Sequence, residues 1–280
     1  MRKWMTIAAA CVAVAGASAW AMGGNGWGFI KLESREQLGL MMDAGSPADA
    51  AETRFERRFA AQSKAAALDV GDADSFGRDV KWLGTLSGAV NLRDCSPLEG
   101  QPVDPLCMHV DPSEPDSQFG EFRDLSHVTL PGGSTNSFLC HWLTPTIGGT
   151  FYNATGYDDR NARLTVLPSL TIENAALNAP GLVDPDTGLP LNGSLEVFLT
   201  STSVIEHLDA DEQMPVRYNA SRTCIGGYVS RQALAIYYGL SEAQIAEFFR
   251  SPTTIRLNLQ VVASQVHSGS VSYGIRFVGD

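Results

Sequence analysis

Five histidines stand at positions 109, 127, 141, 207 and 267, and imidazole is the side chain best suited to proton transfer near neutrality or to ligating a transition metal. Their spacing gives them neither role as pairs. None has a histidine four residues away on a helix face, and no His-Glu-x-x-His is present. The chain also lacks a Gly-x-Ser-x-Gly elbow and a phosphate-cradling glycine loop. His141, between Cys140 and Trp142, is expected on a strand, pointing away from its neighbours as a surface imidazole. His207 stands among Glu206, Asp209, Asp211 and Glu212, a cluster that could collect a cation but reads first as a solvated acidic loop tip.

Two acidic stretches raise calcium. One holds Asp72, Asp74 and Asp79; the other is Asp184-Pro185-Asp186-Thr187-Gly188. Calcium takes six to eight oxygens, and neither stretch has the glycine and closing glutamate of an EF-hand loop. The second is equally a plain turn sequence, and no metal or cofactor is expected.

Cysteine chemistry points to staples. Cys11 falls in the expected signal peptide, which leaves Cys95, Cys107, Cys140 and Cys224. Four cysteines without Cys-x-x-Cys spacing suit two disulfides in an oxidising compartment better than a zinc site. Three pairings are open; the expected one is Cys95–Cys107 closing a local loop and Cys140–Cys224 joining two strand regions. Sequons at Asn153, Asn192 and Asn219 read as chance occurrences. Trp142, Tyr152, Tyr157, Tyr237 and Tyr238 could stack on a sugar or a partner, or sit half-buried in a β core.

The elements that must position these residues change along the chain. Met1–Ala21 has the form of a cleavable signal peptide. Arg2 and Lys3 precede an apolar run from Ile7 to Ala17, and small residues flank Trp20 at Ala19 and Ala21. The run is shorter than the ~20 residues of a spanning helix, and no later segment is apolar enough to cross. Without those 21 residues the 20 Lys+Arg fall to 18 against 31 Asp+Glu, a net charge of −13. So acidic a chain has no electrostatic footprint for nucleic acid.

A Gly-rich leader is expected over 22–33 and a helical segment over 34–70, with Ser46 as N-cap and Pro47 opening a helix to Ala67. Phe55, Phe59 and Ala60 would face inward, with Glu52, Arg54, Glu56 and Arg57 forming a solvated face. From 71 to 280 a β-rich domain is expected. It begins with a strand over Val80–Leu92 and a Pro/Asp-rich surface loop at 96–120. Strands follow at Leu125–Leu130, Ser137–Leu143, Thr150–Ala154, Arg163–Ile172 and Ser194–Thr200, with Gly148-Gly149 among the turns. Ser230–Tyr238 and a helix capped by Ser241 and Gln244 predict a helical hairpin. Thr254–Ala263 and Val271–Phe277 alternate so regularly that they predict a C-terminal β-hairpin turning at Ser268-Gly269.

Many short strands of this kind favour a β-sandwich or jelly-roll-like arrangement of antiparallel sheets, with an N-terminal helical segment and a helical hairpin inserted before the last two strands. The functional expectation is an exported, non-enzymatic β domain, periplasmic, cell-surface or extracellular. It would act as a structural, adhesive or binding component whose partner is another envelope or surface protein. The alternative is a secreted hydrolase or carbohydrate-active domain with an acidic site assembled from distant strands.

Overall fold

The alternation of apolar and polar residues that runs through most of the chain becomes two sheets, one six-stranded and one five-stranded, stacked as a β-sandwich with a few helices. The computed structural model describes residues 46–69, 81–97, 102–135, 138–157, 160–220 and 227–279. The side chains at 59, 61–69, 138–142 and 227–228 lie outside that description. So do the expected signal peptide, the leader, the Asp72–Asp79 stretch and Cys224.

Helix α1 spans Pro47–Asp69. Strands β1 (Lys81–Arg93), β2 (Cys107–His109), β3 (Gln118–Leu130), β4 (Phe138–Tyr152) and β5 (Arg160–Asn174) follow. After a 3-10 turn come β6 (Ser194–Phe198), β7 (Thr202–Leu208), β8 (Gln213–Asn219) and β9 (Gly227–Val229). Helices α2 (Arg231–Ile236) and α3 (Glu242–Arg250) then lead into β10 (Thr253–Ser264) and β11 (Val266–Gly279). The first sheet runs β2-β1-β11-β4-β8 with β9 also on β4; the second runs β3-β10-β5-β6 with β7 also on β5. Among the described residues no helix is long and apolar enough to cross a membrane.

The helix ends form as their sequences dictate. The Asp49 N–H donates to Ser46 Oγ at 3.2 Å, an N-cap for α1. Ser241 and Gln244 make the reciprocal capping box of α3.

The C-terminal hairpin does not form. β10 is central in the five-stranded sheet, between β3 and β5, whereas β11 is central in the other, between β1 and β4. Ser268-Gly269 lies inside β11, and the chain crosses between sheets at Gln265, which takes a left-handed φ of 55°. The expected inward set Ile255, Leu257, Leu259 and Val261 is buried, as are Val271, Tyr273, Ile275 and Phe277. Two consecutive strands with one apolar face each can share a core side by side or from opposite sheets, and alternation does not distinguish these.

The expected turn at Gly148-Gly149 is also absent. Both glycines continue β4, so that 138–143 and 150–152 of the two expected strands belong to one strand. The glycines permit a close approach: a Cβ on Gly149 would sit 2.5 Å from the Ser268 carbonyl oxygen. Gly149→Ala is therefore expected to cost about 1–3 kcal/mol through overpacking, measured by denaturant unfolding.

Pro168 interrupts a strand from the inside. It lies within β5, between β10 and the β6/β7 edge. Lacking an N–H, it cannot complete the ladder, and the neighbouring edge breaks there, β6 ending at Phe198 and β7 beginning at Thr202. The Pro168 carbonyl still accepts the Leu199 N–H at 3.0 Å.

The 96–120 region is not wholly loop. β2 pairs parallel with β1 at Asn91–Arg93, and β3 begins at Gln118. The Cys95–Cys107 disulfide ties β2 to the end of β1 across a separation of 12 residues. Replacing both cysteines by serine is expected to cost about 2–3 kcal/mol on the loop-closure scale, visible as a lower unfolding midpoint under non-reducing conditions. Cys140 stands in β4, but its side chain and Cys224 are outside the described residues, so their pairing is not part of the described fold.

The main core lies between the sheets and includes Leu164, Val166, Leu257, Val271, Tyr273 and Phe248. A second, smaller cluster joins Ala48 and Phe55 of α1 to Leu167, Phe198 and Val262. Those three residues point to the outer face of the five-stranded sheet, so α1 covers that face. This is why β5 is buried continuously from Leu164 to Leu170 rather than at every second residue.

Candidate functional site

Helix α1 lies on the sheet with a buried charge at its centre. Arg58 is fully buried. Its guanidinium donates to Asp184 through Nη2, to Asp186 through Nε at 2.5 Å, and to Glu196 through Nη1 at 3.2 Å. The Phe198 ring lies beneath it, with Cζ 5.0 Å from the ring centroid, within cation–π range. Phe55, one turn earlier, meets the same ring edge-on at 5.2 Å.

The acids come from two elements. Glu196 projects from β6, where Ser169 of the adjoining strand donates to its Oε1 at 2.9 Å. Asp184 and Asp186 come from a tight loop closed by a bridge between Val183 and Pro190. There Asp184 Oδ1 accepts the N–H groups of Asp186 and Thr187, each at 3.0 Å. This is the Asp-Pro-Asp-Thr-Gly turn considered for calcium. It does receive a cation, the guanidinium of Arg58.

Two tyrosines of the α2 region close the arrangement. The Tyr237 hydroxyl donates to Asp186 at 3.1 Å and the Tyr238 hydroxyl to the Glu196 carbonyl at 3.1 Å. Burial, reinforced by the Asp186 charge, pushes the Tyr237 phenol up to about 12, so it remains a donor throughout the ordinary pH range.

Burial alone would push Asp184 up. The Thr187 N–H, the Arg58 charge and the Asp186 N–H outweigh it and hold the carboxyl below its ordinary value of 3.8. A carboxyl depressed in the folded state contributes stability above its unfolded pKa and loses it as pH falls through the folded value. Stability is therefore expected to decline below pH ~4, and Asp184→Asn should remove that part of the decline when urea unfolding is compared at pH 3 and pH 7.

A second buried pair lies under the same helix. Glu52, expected on a solvated face, is only 5% exposed. It accepts from Arg163 Nη1 at 2.9 Å, while its Oε1 has no hydrogen-bond partner among the described residues. Burial pushes this carboxyl above its ordinary 4.5, against the opposing Arg163 charge. Here the sign reverses: a raised carboxyl contributes stability at low pH and loses it as pH rises through the folded value. Relative to the parent, Glu52→Gln should be more favourable at pH 7 than at pH 4 in the same unfolding series.

Arg54, Glu56 and Arg57 are exposed as expected, whereas Ala60, expected to face inward with Phe55, is exposed as well. Phe59 has no described side chain. The structure does not unite the histidines: His109, His127, His207 and His267 are exposed on separate strands, and the side chain of His141 is not described. His127 meets Asp124 at 3.1 Å, beside the Arg256–Glu173 pair on the uncovered part of the outer face. Glu206 and His207 belong to β7, so only Asp209–Glu212 is a loop tip.

Asn153 is fully buried. Its amide donates to the carbonyls of Tyr157 and Asp209 at 2.6 and 3.0 Å, which leaves that sequon no room for a glycan in the folded chain. Of the aromatics, Tyr157 is 68% exposed with Arg160 over its ring. Tyr152 and Tyr237 are half-buried, Tyr238 is buried, and the Trp142 side chain is outside the description.

Sequence reasoning missed the site because Arg58 reads as one more charge on a helix. The apolar doublets Val166-Leu167, Val197-Phe198 and Val261-Val262 were the available signal. In a strand, adjacent apolar residues point to opposite faces, and three doublets on neighbouring strands mark an outer face that something must cover.

No family model matches the chain, and no curated protein matches it. Among solved structures, a chain in "Structure of infectious bursal disease virus Gx strain" is similar over 71% of this chain at 9% identity and a TM-score of 0.19. This chain spans about a third of that one, 34%, and a likeness this slight carries no argument.

Proposed function

We propose that the chain is an exported β-sandwich module that serves as a structural, adhesive or binding component of a cell-surface or periplasmic assembly. The observation that carries this reading is the state of its converging acids. Glycoside cleavage requires a carboxyl held protonated opposite a second carboxylate, with space for substrate between them. Asp184, Asp186 and Glu196 instead close on one guanidinium, and Asp184 is held below its ordinary value. These acids position a helix. The Cys95–Cys107 disulfide is in keeping with an oxidising compartment, and the signal-peptide pattern of Met1–Ala21 supports export.

The runner-up, a secreted hydrolase or carbohydrate-active domain, draws support from the same convergence of distant acids. It would need Arg58 to leave before they could act. The test is recovery of the native protein from the envelope fraction with its associated proteins. A stoichiometric complex is the expected result. No associated protein, together with binding to glycans, would overturn the reading in favour of the runner-up.

A further inference from the structure

We propose that Asp184, Asp186 and Glu196, floored by Phe198, form a guanidinium-binding socket of the sandwich that Arg58 occupies in cis and that an arginine of a partner protein can occupy in its place. This deepens the binding reading above, and rests on it, by naming what the partner must present.

Each acid of the socket has an orienting partner outside the helix that fills it, while Arg54 and Phe55 of that helix also reach Glu196 and Phe198. Asp184 is oriented by the N–H groups of Asp186 and Thr187 in its own loop, Asp186 by the Tyr237 hydroxyl, and Glu196 by Ser169 of β5. None of these groups belongs to α1. The acids present oxygens to a single centre, and Arg58 meets each with a different nitrogen: Nη2 to Asp184, Nε to Asp186 and Nη1 to Glu196. An ammonium has one nitrogen on a flexible stem and cannot match three acids in this fork geometry. The seated guanidinium shows the ligand class directly, since it arrives from at least 126 residues away in sequence. A site held in its binding geometry by its own surroundings loses little entropy when it takes a ligand. Acids gathered with a net negative excess, over an aromatic floor, suit an arginine side chain displayed on a partner segment.

The test uses the full chain carrying Arg58→Ala, with N-acetylarginine amide and N-acetyllysine amide as probes. Binding is read from the backbone amide signals of Asp186 and Thr187. The arginine probe is expected to bind at least tenfold more tightly than the lysine probe, and at least tenfold more tightly to R58A than to the parent, whose socket is filled. Adding D184N, D186N and E196Q to R58A should abolish binding. Equal response to the two probes, or equal binding by parent and R58A, would overturn the proposal. If R58A does not fold, Arg58→Lys carries the test: the arginine probe should raise its melting midpoint and the lysine probe should not, and equal shifts or none would overturn it. An envelope protein captured equally by the parent and the D184N/D186N/E196Q chain would sink the socket and leave the binding reading standing. Arginine-selective binding with no envelope partner would sink the assembly reading and leave the socket.

Discussion

Replacing Arg58 by alanine is expected to lower the free energy of unfolding by about 3–5 kcal/mol, the usual cost of removing one partner from a buried ion pair. The side chain is fully buried, and the side chains of Asp184, Asp186 and Glu196 are only 15, 14 and 16% exposed. Its loss leaves three mostly desolvated carboxylates facing each other. For a domain of this size each kcal/mol corresponds to roughly 2–4 °C in Tm, which calorimetry resolves easily. Arg54 is the internal control. It also reaches Glu196, at 3.4 Å, but its side chain is 45% exposed, so Arg54→Ala should cost less than ~1 kcal/mol. Arg58→Lys should recover only part of the loss, because the charge remains while two of the three directed contacts go.

The second large effect is expected at Phe55, which is 1% exposed and packs edge-on against Phe198. Phe55→Ala should cost about 3–5 kcal/mol, from lost burial and the cavity left behind. Its relation to Arg58 is more informative than its size. Both side chains hold α1 to the same outer face, so either substitution can free the helix, after which the exposed acids regain water and the other contact is already lost. The total loss is then capped by what docking α1 contributes. The double variant is expected to fall well short of the sum of the singles, with a coupling of 0.5–3 kcal/mol in the range found for residues sharing one interaction unit. Additive losses would mean that the two residues act on separate parts of the fold.

The sandwich was legible in the sequence because its inner faces obey a period of two. Ile255, Leu257, Leu259 and Val261 are buried as that period requires. Capping was legible for a related reason: Ser46 and Ser241 act on N–H groups within one turn, and nothing distant competes. Sheet membership was not legible. β10 and β11 have the same alternation whether they pair or face each other across the core, and the choice depends on β1, β3, β4 and β5, which take up their edges. Gly148-Gly149 and Ser268-Gly269 misled as turns because glycine serves bends and close strand contacts alike, and only the pairing shows which applies.

The ionic site was the least legible part. Arg58 and its acids are 126 to 138 residues apart, and Asp-Pro-Asp-Thr-Gly forms the same turn whether or not a cation arrives. Glu52 shows the same failure at shorter range. Helical spacing placed it on a wet face, but that face turned toward Arg163 once α1 lay on the sheet. Helical periodicity states which residues share a face; it does not state how many faces are covered.

One guanidinium shared among three acids, together with Phe55, holds α1 to the sandwich. Arginine side-chain NMR tests this most directly, by observing the Arg58 Nε–H and Nη–H protons. A guanidinium buried in this way should give resolved Nη–H signals that exchange slowly with water, since exchange must wait for local opening, and these signals should vanish in the D184N/D186N/E196Q chain. Rapidly exchanging Arg58 signals, averaged like those of an exposed arginine in the parent protein, would contradict the account.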